Sequence, residues 1–378
     1  MKKRVVSLIL ILAMLMSLVA CTTTNDPGKE TAGNSGQTTS SQKDDDQEGD
    51  SEKTASTIQF TDDTGRQVEL PSVITRIMPT GPISQQILFA IAPDMLVGLA
   101  DDFSDASRGI IADEYFKLDY LGQLYKSADM NIEALALAAP QVILDIGQSM
   151  SAGKEDMESL QQQTGIPTIY IYSDLSNMAE VYRTLGQLLG REERAEELAQ
   201  FCERIYDRTE SIMTQVGENK VKTMYVLFGD GHNVLAKGSY HADLLDWLTD
   251  NVAVVDSPSN KGSGNEVDME QIALWDPEFI LFAAEGVYDT VAEDPVWSQM
   301  TAIANDNYVE VPSVPHTWMG NPPGVQRYLS LIWLTDLLYP DYCDYDVKAE
   351  VVEFYRLFYG CELTDAQYAE ITAEAFLK

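Results

Sequence analysis

The chain has 378 residues, with 60 acidic against 25 basic side chains and a formal net charge of −35. Nucleic acid and bare anionic lipid both need a basic footprint, so this balance argues against either as the main partner. The length exceeds what one hydrophobic core serves and suits two domains, while a hydrophobic share of 45% is ordinary for a globular protein.

At the start, Lys2, Lys3 and Arg4 precede an apolar run over residues 5–20 that ends Leu18-Val19-Ala20-Cys21. A basic start, a short apolar stretch and small residues at a cleavage point describe an export signal. Its sixteen residues fall short of the roughly 20 that span a bilayer, and an uncleaved anchor is the alternative. The run resembles the signal of bacterial lipoproteins, which implies removal of residues 1–20 and acylation of Cys21. The mature charge is then 22 − 60 = −38. Residues 22–57 contain no Val, Ile, Leu, Met, Phe, Tyr or Trp. Such a segment cannot offset its ordering entropy, so 21–57 reads as a lipidated cysteine followed by a disordered polar tether. Its 36 residues reach about 30–35 Å. The globular part is thus expected on the extracytoplasmic face, held to the cell membrane by the lipid.

From residue 58 the chain changes character. TIQFTDDTGRQVEL alternates apolar and polar residues around Asp63-Thr64-Gly65, a hairpin signal. Strands are expected at 97–100, 142–146, 168–172, 224–228, 253–256, 279–283 and 308–311, with helical patterns between them. That is the rhythm of βαβ units and mostly parallel sheets. In REERAEELAQFCERIYDRTESIMTQV, Ala195, Leu198, Ala199, Cys202, Ile205, Tyr206, Thr209, Ile212, Met213 and Val216 recur at helical spacing, and Gly217 is a reasonable stop. The helix is a rod of about 39 Å. The expected organisation is an α/β lobe at 58–190, a single rigid connecting helix at 191–217, a second α/β lobe at 218–340 and C-terminal helices at 341–378.

One segment appears twice. Residues 131–145 read NIEALALAAPQVILD and residues 268–282 read DMEQIALWDPEFILF, identical at six of fifteen positions. Asn131 and Asp268 are good N-cap residues, and Glu133 and Glu270 fall in the first turn, where a negative charge suits the helix dipole. On that reading each glutamate is ordinary helix-start chemistry.

Together, TDDTGRQVELP, the paired repeat, the mid-chain helix and PPGVQRYLSLIWLTDLLYP resemble the ABC-transporter substrate-binding proteins for iron-siderophore, haem and cobalamin complexes. The likeness covers roughly residues 58 to 340. It implies two α/β lobes with a ligand cleft between them, a monomer, a metal chelate as cargo, no cofactor of its own, and an ABC permease with its cytoplasmic ATPase as partner. It also implies that Glu133 and Glu270, one per lobe, dock into arginines on the two halves of the permease.

In such a binder the ligand meets the loops at the strand ends. Their polar and aromatic residues are Ser84, Gln85, Tyr125 and Gln148 in the first lobe, and Tyr240, His241, Trp297, His316, Trp318 and Arg327 in the second. Each has a packing alternative. His316 with Trp318 is the favoured local pair, in a Pro-rich loop. The few basic residues near these loops, Lys126, Lys237, Lys261 and Arg327, favour a weakly charged chelate stacking on rings over an anionic siderophore. A small oxyanion such as molybdate is the alternative cargo.

Catalysis finds little footing. The sequence has no H-E-x-x-H, G-x-S-x-G or G-K-[ST] motif. Two glutamates in separate lobes do not normally approach within the roughly 5–10 Å that a glycosidase needs, and three histidines leave little room for a dedicated metal cage. A surface enzyme on the same fold is the competing class. Cys343 and Cys361 are spaced to close a disulfide loop of about 18 residues, worth about 3 kcal/mol. Two free thiols fit the sequence equally.

Overall fold

The computed structural model describes residues 56–124, 130–148 and 153–377. The expected signal, Cys21, nearly all of the tether and Tyr125 lie outside the described residues. Residues Thr54–Lys378 form one compact unit.

The chain opens with an antiparallel hairpin of β1 (Thr57–Thr61) and β2 (Gln67–Pro71), with Thr57 opposite Pro71 and Thr61 opposite Gln67. Its turn is held locally: Asp62 Oδ1 accepts from the backbone N–H of Thr64 at 3.1 Å and of Arg66 at 3.0 Å. The first lobe continues through β3 (Ile77–Pro79), α1 (Pro82–Ile91), α2 (Ile132–Ala138), β4 (Val142–Gly147), α3 (Gly153–Thr164), β5 (Thr168–Tyr172) and α4 (Met178–Leu189). Its sheet is parallel, in the order β3-β4-β5. Strand β4 reads VILDIG with five residues buried, the near-continuous burial of a parallel strand covered on both faces. The strand expected at 97–100 is absent. Leu96 and Leu99 make only isolated bridges, while β3, too short to show a period, takes the sheet edge.

Helix α5 (Glu192–Val216) follows after a turn at Gly190. It buries the expected stripe with one exchange, Phe201 inside and Tyr206 only partly covered. It lies tightly on α4 because Gly186 has no side chain; a Cβ there sits 2.4 Å from the Ala195 Cβ.

The second lobe comprises β6 (Lys222–Val226), β7 (Asn233–Val234), α6 (Asp243–Leu248), β8 (Asp250–Asn251), β9 (Asn265–Glu266), α7 (Met269–Trp275), β10 (Phe279–Phe282), α8 (Thr301–Ala304) and β11 (Tyr308–Glu310). The sheet order is β11-β10-β6-β7-β9, with β8 also on β6. β10 runs parallel to both β6 and β11, and β7 is antiparallel to its neighbours. The strand expected at 253–256 falls earlier, at β8, where Asn251 is buried and donates to the Leu235 carbonyl at 3.1 Å.

The last helices, α9 (Arg327–Leu338), α10 (Val347–Phe354) and α11 (Asp365–Ile371), do not stay with the second lobe. A π-helical turn at Tyr355–Tyr359 brings Phe358 within 5.4 Å of Phe201 and 6.1 Å of Tyr182, ring centre to ring centre. Arg194 donates to the Leu357 carbonyl, and Gln367 donates to the Gly109 carbonyl at 3.0 Å. One apolar core therefore runs from Val68 to Ala375 through both lobes. Helix α5 is embedded between α4 and α9 and is not a bare connecting rod. The same return separates the two late cysteines, which are free thiols. Cys361 Sγ faces the Gly109 carbonyl at 3.8 Å, whereas Cys343 Sγ faces the Tyr345 hydroxyl at 3.6 Å.

Candidate binding cleft

A cavity of about 440 Å³ opens where the C-terminal ends of the first lobe's strands face loops of the second. The first lobe contributes Gly81, Pro82, Ile83 and Ser84 at the start of α1, Asp145 to Gln148 at the end of β4, and Tyr170 of β5. The second contributes Tyr240, Asn260 and Pro322. Strand ends at a sheet's carboxyl edge are where open α/β folds hold ligands.

Local bonding positions each wall. Ser84 Oγ accepts from Ile146 N–H at 2.8 Å, fastening α1 to β4. Helix α1 begins at Gly81 with no side-chain cap and with Pro82, which has no N–H, so the first-turn N–H groups of Ile83 and Ser84 are the ones left for solvent or a ligand. Asp145 is 6% exposed and accepts from the Thr80 hydroxyl. Burial first, and then the charge of Asp145, push the Tyr170 phenol above its ordinary pKa, so it stays protonated and donates to the Gly147 carbonyl at 2.6 Å. Across the cleft, Tyr240 N–H donates to Asn260 Oδ1 at 2.9 Å, tying two loops together. Burial also raises the Tyr240 phenol. The cavity thus presents phenols, a carboxylate, amides and apolar carbons.

A polar bridge joins the lobes beside it. Arg327, 2% exposed, places Nη1 at 2.7 Å from both carboxylate oxygens of Asp243, and Gln148 Nε2 reaches the same carboxylate from the first lobe at 3.3 Å. The lobes also meet at Gly324, where a Cβ would lie 2.0 Å from Gln86 Oε1, so a larger residue there must push the Gln86 side chain aside.

Of the residues expected to meet a ligand, Ser84, Gln148 and Tyr240 line the cavity. The other described ones stand elsewhere. Gln85 is buried with its amide bonded to the backbone of Ala100 and Asp101. His241 packs edge-on against Tyr240, 5.0 Å away, and does not line the cavity. Trp297 is a core residue of the second lobe, edge-on to Phe282 at 5.5 Å. The favoured pair separates: His316 sits between Phe103 and Tyr359, where burial lowers its pKa to about 4, and Trp318 is fully buried against Trp333 and Tyr355. A Pro-rich loop with two large rings here serves packing. Arg327 is turned to Asp243, so its charge is already partnered. Asp145, Tyr170, Asn260 and Pro322 were not anticipated. The signal for Asp145 was available, as a lone carboxylate inside an otherwise apolar strand.

The two repeats form matching corners. Asn131 Oδ1 accepts from Ala134 N–H at 3.0 Å, and Asp268 Oδ1 accepts from Gln271 N–H at 2.8 Å. Glu133 and Glu270 are both exposed. Among the described residues, no group of three or more His, Cys, Asp or Glu is placed to hold a metal ion, and no helix is long and apolar enough to cross a membrane.

Residues 111–315, more than half of the chain, match the sequence profile of the family described as periplasmic binding protein. No curated protein matches the chain. Among solved structures, an ABC transporter solute-binding protein from Sulfurospirillum deleyianum is 27% identical, with a TM-score of 0.76, over 83% of this chain and 99% of its own. A periplasmic solute-binding protein from Veillonella parvula is 24% identical, with a TM-score of 0.70, over 85% and 98%. The molybdate-bound periplasmic binding protein MolA of Haemophilus influenzae shares the fold, with a TM-score of 0.65 at 18% identity over 81% and 99%.

Proposed function

The chain belongs to the periplasmic binding protein family, and on that premise we propose that it captures a small metal chelate in the cleft and delivers it to the permease of an ABC importer. In this reading it is held at the outer face of the membrane by a lipid on Cys21, works as a monomer and turns nothing over. The observation that carries the reading is the 440 Å³ cavity shared by both lobes, because a ligand seated there touches both and can report its presence through their relative position.

The wall chemistry narrows the cargo. Free N–H groups at the start of α1 favour anionic oxygens, whereas Asp145 opposes a bare anion and favours a donor or a positive charge. A chelate carrying both kinds of group satisfies both walls. The uncapped α1 also supports a second reading, a small oxyanion such as molybdate, the ligand of the Haemophilus relative.

Isothermal titration calorimetry of the full chain against haemin, cobalamin, several ferric siderophores and molybdate separates the two. Saturable binding of a chelate, weakened by Asp145→Asn, supports the first. Molybdate binding that strengthens when Asp145 loses its charge supports the second. Turnover of any of these compounds overturns both.

A further inference from the structure

The buried ion pair between the lobes ends on a residue of the cavity wall. The stem of Arg327 lies over Gly320, where a Cβ would come 2.4 Å from the Arg327 Cγ. Its Nη1 stands 2.7 Å from both oxygens of Asp243, and Oδ1 of that carboxylate also accepts from the Leu244 N–H at 2.8 Å. A carboxylate engaged in this way offers acceptors only. Gln148 Nε2 is 3.3 Å from Asp243 Oδ2, and the amide can meet that oxygen with its NH2 end but not with its carbonyl. Because Gln148 also lines the cavity, the end left for a ligand is its oxygen, Oε1. Two neighbours at the same strand ends share that polarity. Asp145 is a carboxylate, and the Tyr170 hydroxyl gives its hydrogen to the Gly147 carbonyl at 2.6 Å, which leaves it lone pairs to offer. One side of the cavity is thus a wall of acceptors, and a cargo without donors strips them of water and gives nothing back.

We propose that the Arg327–Asp243 pair positions the Gln148 carboxamide, and that Gln148 Oε1, Asp145 and the Tyr170 oxygen together select cargo bearing an amine or ammonium group on that side. The inference rests on the chelate reading above and adds the polarity of the group that the first lobe meets. A primary ammonium carries three N–H donors, and its charge offsets that of Asp145. The Ile83 and Ser84 N–H groups at the start of α1 then face the anionic oxygens of the chelate, so the two ends of the cargo differ in sign. Neither Arg327 nor Asp243 lines the cavity, and both act through Gln148.

The test uses the full-length protein and three chelate scaffolds: a ferric tris-hydroxamate, an iron porphyrin and a corrinoid. Each is prepared with one pendant primary amine and, as its match, with a methyl group in place of that amine. Titration calorimetry should find a scaffold whose amine form binds about ten-fold or more tightly than its match. Gln148→Met should reduce that preference several-fold, because the thioether fills the space without the carbonyl. Asp243→Asn, alone or with Arg327→Gln, offers Gln148 a donor and lets its amide turn, so the preference should fall there too. A merely structural role for the pair weakens both forms alike and leaves their ratio unchanged. Where one of these two variants fails to fold, the other reads the positioning. Binding of no scaffold overturns the chelate reading and the inference with it. Equal binding of the two forms overturns the inference alone, as does a ratio untouched by Gln148→Met. A ratio that falls in Gln148→Met but stands in the Asp243 variants overturns the positioning by Arg327 and Asp243.

Discussion

The repeat and its copy share an exposed Glu-Ala-Leu set and a buried Ile-Leu pair, and they part at the strand end that the first copy turns to the cleft. Both begin with a side-chain cap and present the same three exposed residues. Both then turn through a left-handed residue, Ala139 at φ 46° and Asp276 at φ 38°, into a parallel strand whose Ile143-Leu144 and Ile280-Leu281 pairs are identical and buried. At the next position they part. Asp145 lines the cavity, while Phe282 is buried among Trp297, Tyr288 and Tyr308. The same strand end is a ligand wall in one lobe and a core plug in the other. The second lobe therefore supplies its share of the cleft from loops, through Tyr240, Asn260 and Pro322. The scaffold and the outer corner are alike in the two copies, whereas this strand end lines the cavity in the first lobe only.

The sharpest way to break this comparison is to strip each strand end of its role. Phe282→Ala is expected to destabilise the protein by about 3–5 kcal/mol, as for other buried phenylalanines. Chemical denaturation measures it, and a loss below about 1 kcal/mol means the ring is no plug. Asp145→Asn is expected to leave most of that stability in place and to weaken binding of a donor-bearing chelate by about 1.5–3 kcal/mol, the range for a hydrogen bond to a charged group. Calorimetry reads it, and unchanged affinity removes Asp145 from the wall.

Smaller effects sharpen the likeness of the corners. Asn131→Ala and Asp268→Ala each lose a cap bond, and each should cost about 1 kcal/mol in thermal unfolding. Unequal losses mean the two caps are not equivalent. Last comes the left-handed turn. Replacing Ala139 by glycine relieves strain of about 1–2 kcal/mol and adds about 0.4–1 kcal/mol of unfolded-state entropy, a net gain of about 0.5 kcal/mol. Asp276→Gly should gain nothing, because its carboxylate accepts from the N–H and the hydroxyl of Thr301, both at 2.8 Å. Equal melting shifts for the two glycine variants count against that distinction.

How legible this was depended on range. Periodic signals were local and strong: the 25-residue helix, the hairpin around Asp62 and strands β4, β5 and β10 stand close to where the sequence placed them. Strands of two or three residues, such as β3 and β8, exist only because a neighbour pairs with them, so no local pattern marks them. Site residues divided along the same line. Ser84, Gln148 and Tyr240 could be chosen because they flank strand ends or sit in a turn. Trp318 and His316 misled because loop membership says nothing of depth, and the rings that enclose them arrive from Phe103 and from residues 333 to 359. Arg327 misled for a related reason: its partner Asp243 lies 84 positions away.

The return of the last helices sets a time order on the molecule. Tyr182 of α4 and Phe201 of α5 are buried, yet the rings that cover them, Phe354 and Phe358, are encoded almost at the end of the chain. A chain emerging from its N-terminus can close its first sheet early, but α4 and α5 keep an apolar face bare until residue 358 is available. Such a chain stays open to handling for most of its emergence and locks in one late step. For a polypeptide read as one that must pass through a membrane before it folds, lateness of this kind is useful in itself.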